Sequence, residues 1–158
     1  MRLSNIFPLI ATLFSAGVLF AQEDGPPIPL TVEGIRHWQS RGALNCWSNW
    51  PKEIELDLFD NGHPALFLAI GGFSRGMGYA VFKQNRKSWR LIADEVDCTM
   101  GMVDVLSTEH EGYHDFAAFK RSGHGGFEVM VFSWNGRRYV EKVNWEMSYD
   151  ELYNSEAH

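Results

Sequence analysis

The residues of this chain best suited to chemistry by type and spacing are His110-Glu111-Gly112-Tyr113-His114, a literal H-E-x-x-H. In zinc peptidases this spacing works because a helix sets both imidazoles on one face, one turn apart, with the glutamate beside them as general base. The surroundings argue for something else. Gly112 would cost about 1 kcal/mol in a helix interior, and residues 103–106 and 116–119 on either side have strand character. The segment is expected to be a polar loop leading into a strand. The competing chemistry is a zinc-dependent hydrolase, or a structural zinc held by His110, His114 and His124.

Two glycine-rich segments, 71–78 (GGFSRGMG) and 121–126 (RSGHGG), come next. Neither ends in G-K-[ST] or opens a helix, so neither is a phosphate loop. With Arg75, Arg121 and His124 they form the expected binding surface, because loops on a rigid sheet are where recognition usually sits. Basic residues also gather at Lys83, Arg86, Lys87 and Arg90, and again at Arg137 and Arg138. On an acidic protein a basic end would steer an acidic partner. Trp38, Trp47 and Trp50 would suit a carbohydrate or cell-wall binder if exposed, but core packing is expected of them. No Ser-His-Asp set, placeable carboxylate pair or dinucleotide fingerprint is present. The function expected is therefore non-enzymatic: recognition of a protein partner, of inhibitor or immunity type.

Composition sets the limits. The chain has 158 residues, 45% apolar and 22% charged, enough for one domain with a real core. Its 14 Lys+Arg against 20 Asp+Glu give a net charge of −6, which excludes a nucleic-acid-coating protein, since phosphates would repel it.

Residues 1–21 have the layout of a secretory signal peptide: Arg2, then the uncharged apolar run 6–20, then Ala21 before Gln22-Glu23-Asp24. Cleavage after Ala21 would leave one domain, 22–158, without a membrane span, in the periplasm or outside the cell. Two cysteines follow. In an oxidising compartment Cys46 and Cys98 are expected to pair, closing a loop of about fifty residues for roughly 4 kcal/mol; the alternative is two buried free thiols.

The elements that must position these residues are mostly strands. Thr31 is placed to cap a short helix that stops at Gly42. From Glu53, Ile54, Leu56 and Leu58 alternate with acidic residues as a half-buried strand; 65–70 is a fully apolar run, and further strands are expected over 79–82, 89–93, 102–106, 116–119, 127–132 and 138–143. Asn135-Gly136 predicts a two-residue hairpin with both central residues at positive φ. A terminal helical turn is expected over 148–154 behind a Ser148 cap. The fold class is mainly β, in antiparallel sheets.

The strands repeat at an interval of fifty. Gly62 matches Gly112, Gly76 matches Gly126, Phe82 matches Phe132, Asn85 matches Asn135, and Trp89 matches Tyr139, giving units of about 53–97 and 103–143. The strings DNGHPALFLAIGG and GYHDFAAFKRSGHGGFEVMVFSWNGRRYV resemble the FG-GAP or VCBS type of β-propeller repeat of exported proteins. That resemblance implies blade-like units. Two blades do not close a propeller, so it implies a sandwich or miniature propeller, with self-association as one outcome. It also implies calcium ligands in the first acidic loop, and these carry over only to Asp57 and Asn61. Phe59 and Ala65 stand where further oxygen donors are needed, so no cofactor is expected beyond a weakly held calcium or zinc.

Overall fold

Alternating apolar residues punctuated by short turns produce two four-stranded antiparallel meanders in the computed structural model of the protein. The structure describes residues 18–19, 28–42, 49–72 and 75–155. Most of the expected leader, and Cys46 and Trp47, lie outside the described residues. Strand β1 (Val18–Leu19) pairs antiparallel with β2 (Ile28–Pro29). Helix α1 (Val32–Ser40) starts at Thr31, whose hydroxyl accepts a hydrogen bond from the Gly34 N–H at 3.0 Å. Gly42, at φ 65°, follows its last turn.

The first sheet runs β3 (Glu53–Leu56), β4 (Ala65–Gly72), β5 (Met77–Asn85), β6 (Ser88–Cys98), each strand beside the next. The second runs β7 (Val103–His110), β8 (Tyr113–Arg121), β9 (Gly126–Trp134), β10 (Tyr139–Ser148) in the same way. Helix α2 (Tyr149–Ser155) follows directly. Ser148 N donates to the Glu151 carboxylate at 2.8 Å, and Glu151 N donates back to Ser148 Oγ at 3.3 Å, a capping box. The carboxylate accepts from both the Ser148 N–H and, at 2.9 Å, its hydroxyl, and these two bonds hold the Glu151 carboxyl below its usual range.

The two sheets share one register at an offset of fifty. Ile54 pairs with Phe67, and Asp104 with Ala117; Leu66 pairs with Phe82, and Phe116 with Phe132; Gln84 pairs with Trp89, and Trp134 with Tyr139. Even a bulge is reproduced. The step from Phe82↔Leu91 to Val81↔Ala93 recurs as Phe132↔Glu141 to Val131↔Val143. The repeated glycine has a steric cause in the second unit only: a Cβ on Gly126 would run into the Met147 carbonyl, whereas one on Gly76 would make an ordinary contact with the Cys98 carbonyl oxygen at 3.4 Å.

Equal register does not mean equal environment. Phe67, Ala69, Tyr79 and Val81 of the first sheet pack against Phe116, Ala118, Met130 and Phe132 of the second in the main core. The opposite face of the first sheet, Leu66, Leu68, Ile70, Ala80 and Phe82, is covered by Val32 and Ile35 of α1 with Trp38, Trp89 and Leu91. The opposite face of the second sheet, Ala117, Phe119, Phe127 and Val129, is covered in part by Tyr149 and Leu152 of α2. Since 67 corresponds to 117 and 66 to 116, the sheets stack through opposite faces, front of one on back of the other. A two-fold sandwich would use one face twice.

Two expectations need correction. The Asn135-Gly136 turn is not a two-residue hairpin, because the pairing stops at Trp134 and Tyr139. Only Gly136 (φ 88°) takes positive φ there. Asn135 works through its side chain instead, its Oδ1 accepting from Arg137 N at 3.0 Å and Arg138 N at 2.9 Å. The second correction concerns the disulfide. Cys98 is a free, fully buried thiol at the end of β6, and no disulfide occurs among the described residues. Burial, with a smaller contribution from Asp97, pushes the thiol up to about 12.

Candidate functional site

Successive turns of a meander alternate between its two ends, so the fold sorts every expected functional residue to one of two places. The glycine end carries the β4–β5 loop, the 99–102 connection, the β8–β9 loop and the start of α2. The hairpin end carries the 57–64 loop and the turns β5–β6, β7–β8 and β9–β10.

At the glycine end, the two glycine-rich loops meet although they are about fifty residues apart in sequence. Thr99 joins them. Its hydroxyl donates to the Arg75 carbonyl at 2.7 Å and accepts from the Arg121 N–H at 2.8 Å. Its own N–H donates to the Phe119 carbonyl at 2.7 Å. The Arg75 guanidinium lies over Gly123, with Nη1 at 2.7 Å from where a Cβ would stand. Only a residue without a side chain leaves room for that contact. Arg121 Nε donates to the Tyr149 hydroxyl at 3.2 Å, which fixes its direction along α2. Arg75, Arg121 and His124 are all exposed. Lys120 nearby is paired with Asp97 at 3.2 Å. The three expected binding residues therefore share one surface, and three of the four residues following Arg121 on it are small or flexible: Ser122, Gly123 and Gly125. Beside this end, a cavity of about 340 Å³ is lined by Met102, Asp104, Phe119, Phe127 and Leu152.

At the hairpin end, the H-E-x-x-H string forms a tight turn between two strands. His110 pairs with Tyr113, and the two residues between them, Glu111 (φ 56°) and Gly112 (φ 75°), both take the left-handed conformation. The imidazoles consequently leave on opposite sides of the sheet. His110 Nε2 lies 3.4 Å from the buried Asp115 carboxylate, which also accepts from the Thr108 hydroxyl at 2.8 Å. His114 Nε2 meets Asp60 Oδ1 at 3.0 Å, and its backbone N–H donates to the Leu58 carbonyl at 3.0 Å. The hydrogen bond to Asp60 raises the His114 pKa, with smaller coulombic contributions from Asp60 and Glu109.

Asp60, Glu109 and His114 bring one ligand atom each within 4.8 Å of one another. This set differs from the expected metal ligands. His110 belongs to the Asp115 pair, His124 is at the other end, and Asn61 Oδ1 accepts from His63 N at 3.0 Å in a side-chain turn. Asp57 is exposed and outside the group. The group offers three donors where calcium takes six or more oxygens.

The basic turns also converge. Arg90 Nη2 donates to the Arg137 carbonyl at 2.7 Å, and Arg138 Nη1 lies 3.3 Å from Asp94 Oδ2, tying the two sheets together. Lys83 does not belong to this exposed cluster. Its ammonium sits 4.5 Å from the Phe59 ring centre and 4.2 Å from that of Tyr113, and donates to the Tyr113 hydroxyl at 2.7 Å. Tyr113 in turn stacks on Trp134 at 3.9 Å. Trp38 and Trp50 are half-buried against the apolar clusters.

Sequence reasoning singled out Arg75, Arg121 and His124 from the glycine-rich loops, and Glu109 as an oxygen donor of the second acidic loop, but not Thr99 or Asp60. A lone threonine at a strand end carries no signal in sequence. Asp60 and Glu109 become neighbours only through the stacking of the sheets.

Among the described residues no helix is long and apolar enough to cross a membrane. Fold and surface thus define a two-repeat, antiparallel β module with a loop-built basic patch. Comparison with protein-family models, curated proteins and solved structures gave no match.

Proposed function

We propose that this chain is an exported, non-enzymatic binding module that recognises an acidic protein surface through its paired glycine-rich loops, in the manner of an inhibitor or immunity protein. One observation carries the reading: Arg75 and Arg121, from different repeats, are held on one exposed surface by the two hydrogen bonds of Thr99. On a chain of net charge −6, such a patch attracts an acidic partner while the rest of the molecule repels it. Export rests on the leader-like segment 1–21. The FG-GAP/VCBS resemblance is supported by the shared register and opposite-face stacking of the two sheets, the relation that adjacent blades of a radial repeat require.

The hydrolase alternative asks for both imidazoles on one metal, and His110 and His114 leave opposite faces of the sheet. The carbohydrate alternative asks for a cluster of exposed tryptophan platforms; Trp38 and Trp50 are partly withdrawn into packing, and Trp145 stands exposed on a different strand. The test is capture of partners from the periplasmic or extracellular fraction with the wild-type chain and with Arg75→Ala/Arg121→Ala. A partner retained by the first and lost by the second, with retention falling as salt rises, is expected. Equal retention by both would remove the loops from the recognition surface.

A further inference from the structure

The second sheet ends on β10, an edge strand that exposes large apolar side chains. It is ten residues long, and it pairs with β9 on one side only among the described residues. Six consecutive residues, 141–146, are exposed. Two of them are large and apolar, Val143 at 54% and Trp145 at 42% exposure. Both project from the face of the second sheet shared by Val131 and Val129, their cross-strand partners. An unpaired edge of this length that carries apolar side chains is a template for another strand.

The residues around Asn144 read Lys142-Val143-Asn144-Trp145-Glu146. In antiparallel self-pairing with a two-fold axis at Asn144, Val143 of one chain faces Trp145 of the other, and Lys142, the extra residue of the bulge, comes opposite Glu146. Each contact occurs twice. Directly opposed apolar pairs and opposite charges are the pairings that stabilise neighbouring strands, whereas like charges in those places destabilise them. A shift of the axis by one residue, to Val143, would set Glu141 against Trp145 and Lys142 against Asn144, losing both the apolar and the charge pairs. The sequence is therefore self-complementary in one register and frustrated in its neighbour.

We propose that the chain forms a two-fold symmetric dimer in which β10 pairs antiparallel with β10 of a second copy about Asn144, fusing the two second sheets into one eight-stranded sheet. The occupant of the edge is a second copy because strand and complement are the same sequence, as an isologous interface demands. The contact lies along the side of the second sheet and uses neither glycine-rich loop. Dimerisation and partner recognition are therefore separable.

The experiment is sedimentation equilibrium of the full chain over a wide concentration range, with Glu146→Lys, Lys142→Glu and the double exchange Lys142→Glu/Glu146→Lys. Wild type is expected to sediment as a reversible dimer. Each single exchange turns two attractions into repulsions and should raise the dissociation constant about tenfold or more; the double exchange should restore it. Both positions of change lie on an exposed edge, and far-ultraviolet circular dichroism confirms that each variant is folded. A wild type that stays monomeric at all concentrations would overturn the proposal. So would a dimer indifferent to the single exchanges, or one not rescued by the double exchange.

Discussion

Leu66 and Phe116 occupy the same place in the two repeats, each paired with a phenylalanine of the following strand, Phe82 or Phe132, yet they face opposite neighbours. Leu66 lies under α1, while Phe116 lies between the sheets, its ring 5.5 Å from that of Phe67. The same register thus serves two environments. Phe116→Ala should cost about 3–5 kcal/mol and Leu66→Ala about 2–5 kcal/mol in denaturant unfolding. Native-state hydrogen exchange distinguishes them. Leu66→Ala should release protection chiefly in α1, and Phe116→Ala in both sheets.

Thr99 is the hinge of the glycine end. Thr99→Val keeps the shape but leaves the Arg121 N–H and the Arg75 carbonyl without this partner. A loss of about 1–3 kcal/mol is expected, with Thr99→Ser close to wild type. If valine is tolerated without loss, the hydroxyl does not hold the loops together.

Gly126 is a close-approach position. A Cβ there falls on the Met147 carbonyl oxygen, which belongs to backbone and cannot swing aside. Gly126→Ala should therefore destabilise by about 1–3 kcal/mol through strain between β9 and β10. Gly123→Ala, where the obstacle is the mobile Arg75 guanidinium, should leave the unfolding midpoint near that of wild type while displacing Arg75.

Cys98 titrates well above an ordinary thiol, at about 12, because burial disfavours the thiolate. In the native protein it should resist a thiol reagent at mildly alkaline pH and react at the rate of unfolding. Its effect on stability has a defined sign. Above the ordinary thiol value the unfolded chain loses the proton first, so stability falls as pH rises from there toward the folded-state value. Rapid native-state modification would contradict the buried placement.

His114 has the opposite proton linkage. Its folded-state pKa is raised, first by the hydrogen bond to Asp60. Its contribution to stability is therefore fully present below the ordinary imidazole value and is lost as pH rises through the raised one. Titration of the His114 ring by nuclear magnetic resonance should give a midpoint above 6.5, and Asp60→Asn should bring it back toward that value. An unchanged midpoint in Asp60→Asn would separate the two groups.

Much of this molecule was legible in the chain alone. The strand at 53 followed from alternation, because a half-buried strand places apolar groups at every second residue, and that at 65–70 from an unbroken apolar run, which is buried on both faces. Thr31 and Ser148 marked their helices, since a cap is a contact within four residues. The fifty-residue spacing foretold the shared register, because both are properties of sequence distance. The turn at Asn135 was misread because Asn-Gly favours two backbone solutions, and only neighbouring strands choose between them. Tertiary structure decided the rest. Which face of each sheet would be covered, that Lys83 would enter an aromatic box, and that Asp60 would reach His114 all depend on how one sheet lies upon the other. So does the meeting of Arg75 with Gly123. Local preference fixes strands and turns through short-range sterics and hydrogen bonds, whereas these contacts join residues far apart in the chain and arise only when apolar faces are buried together.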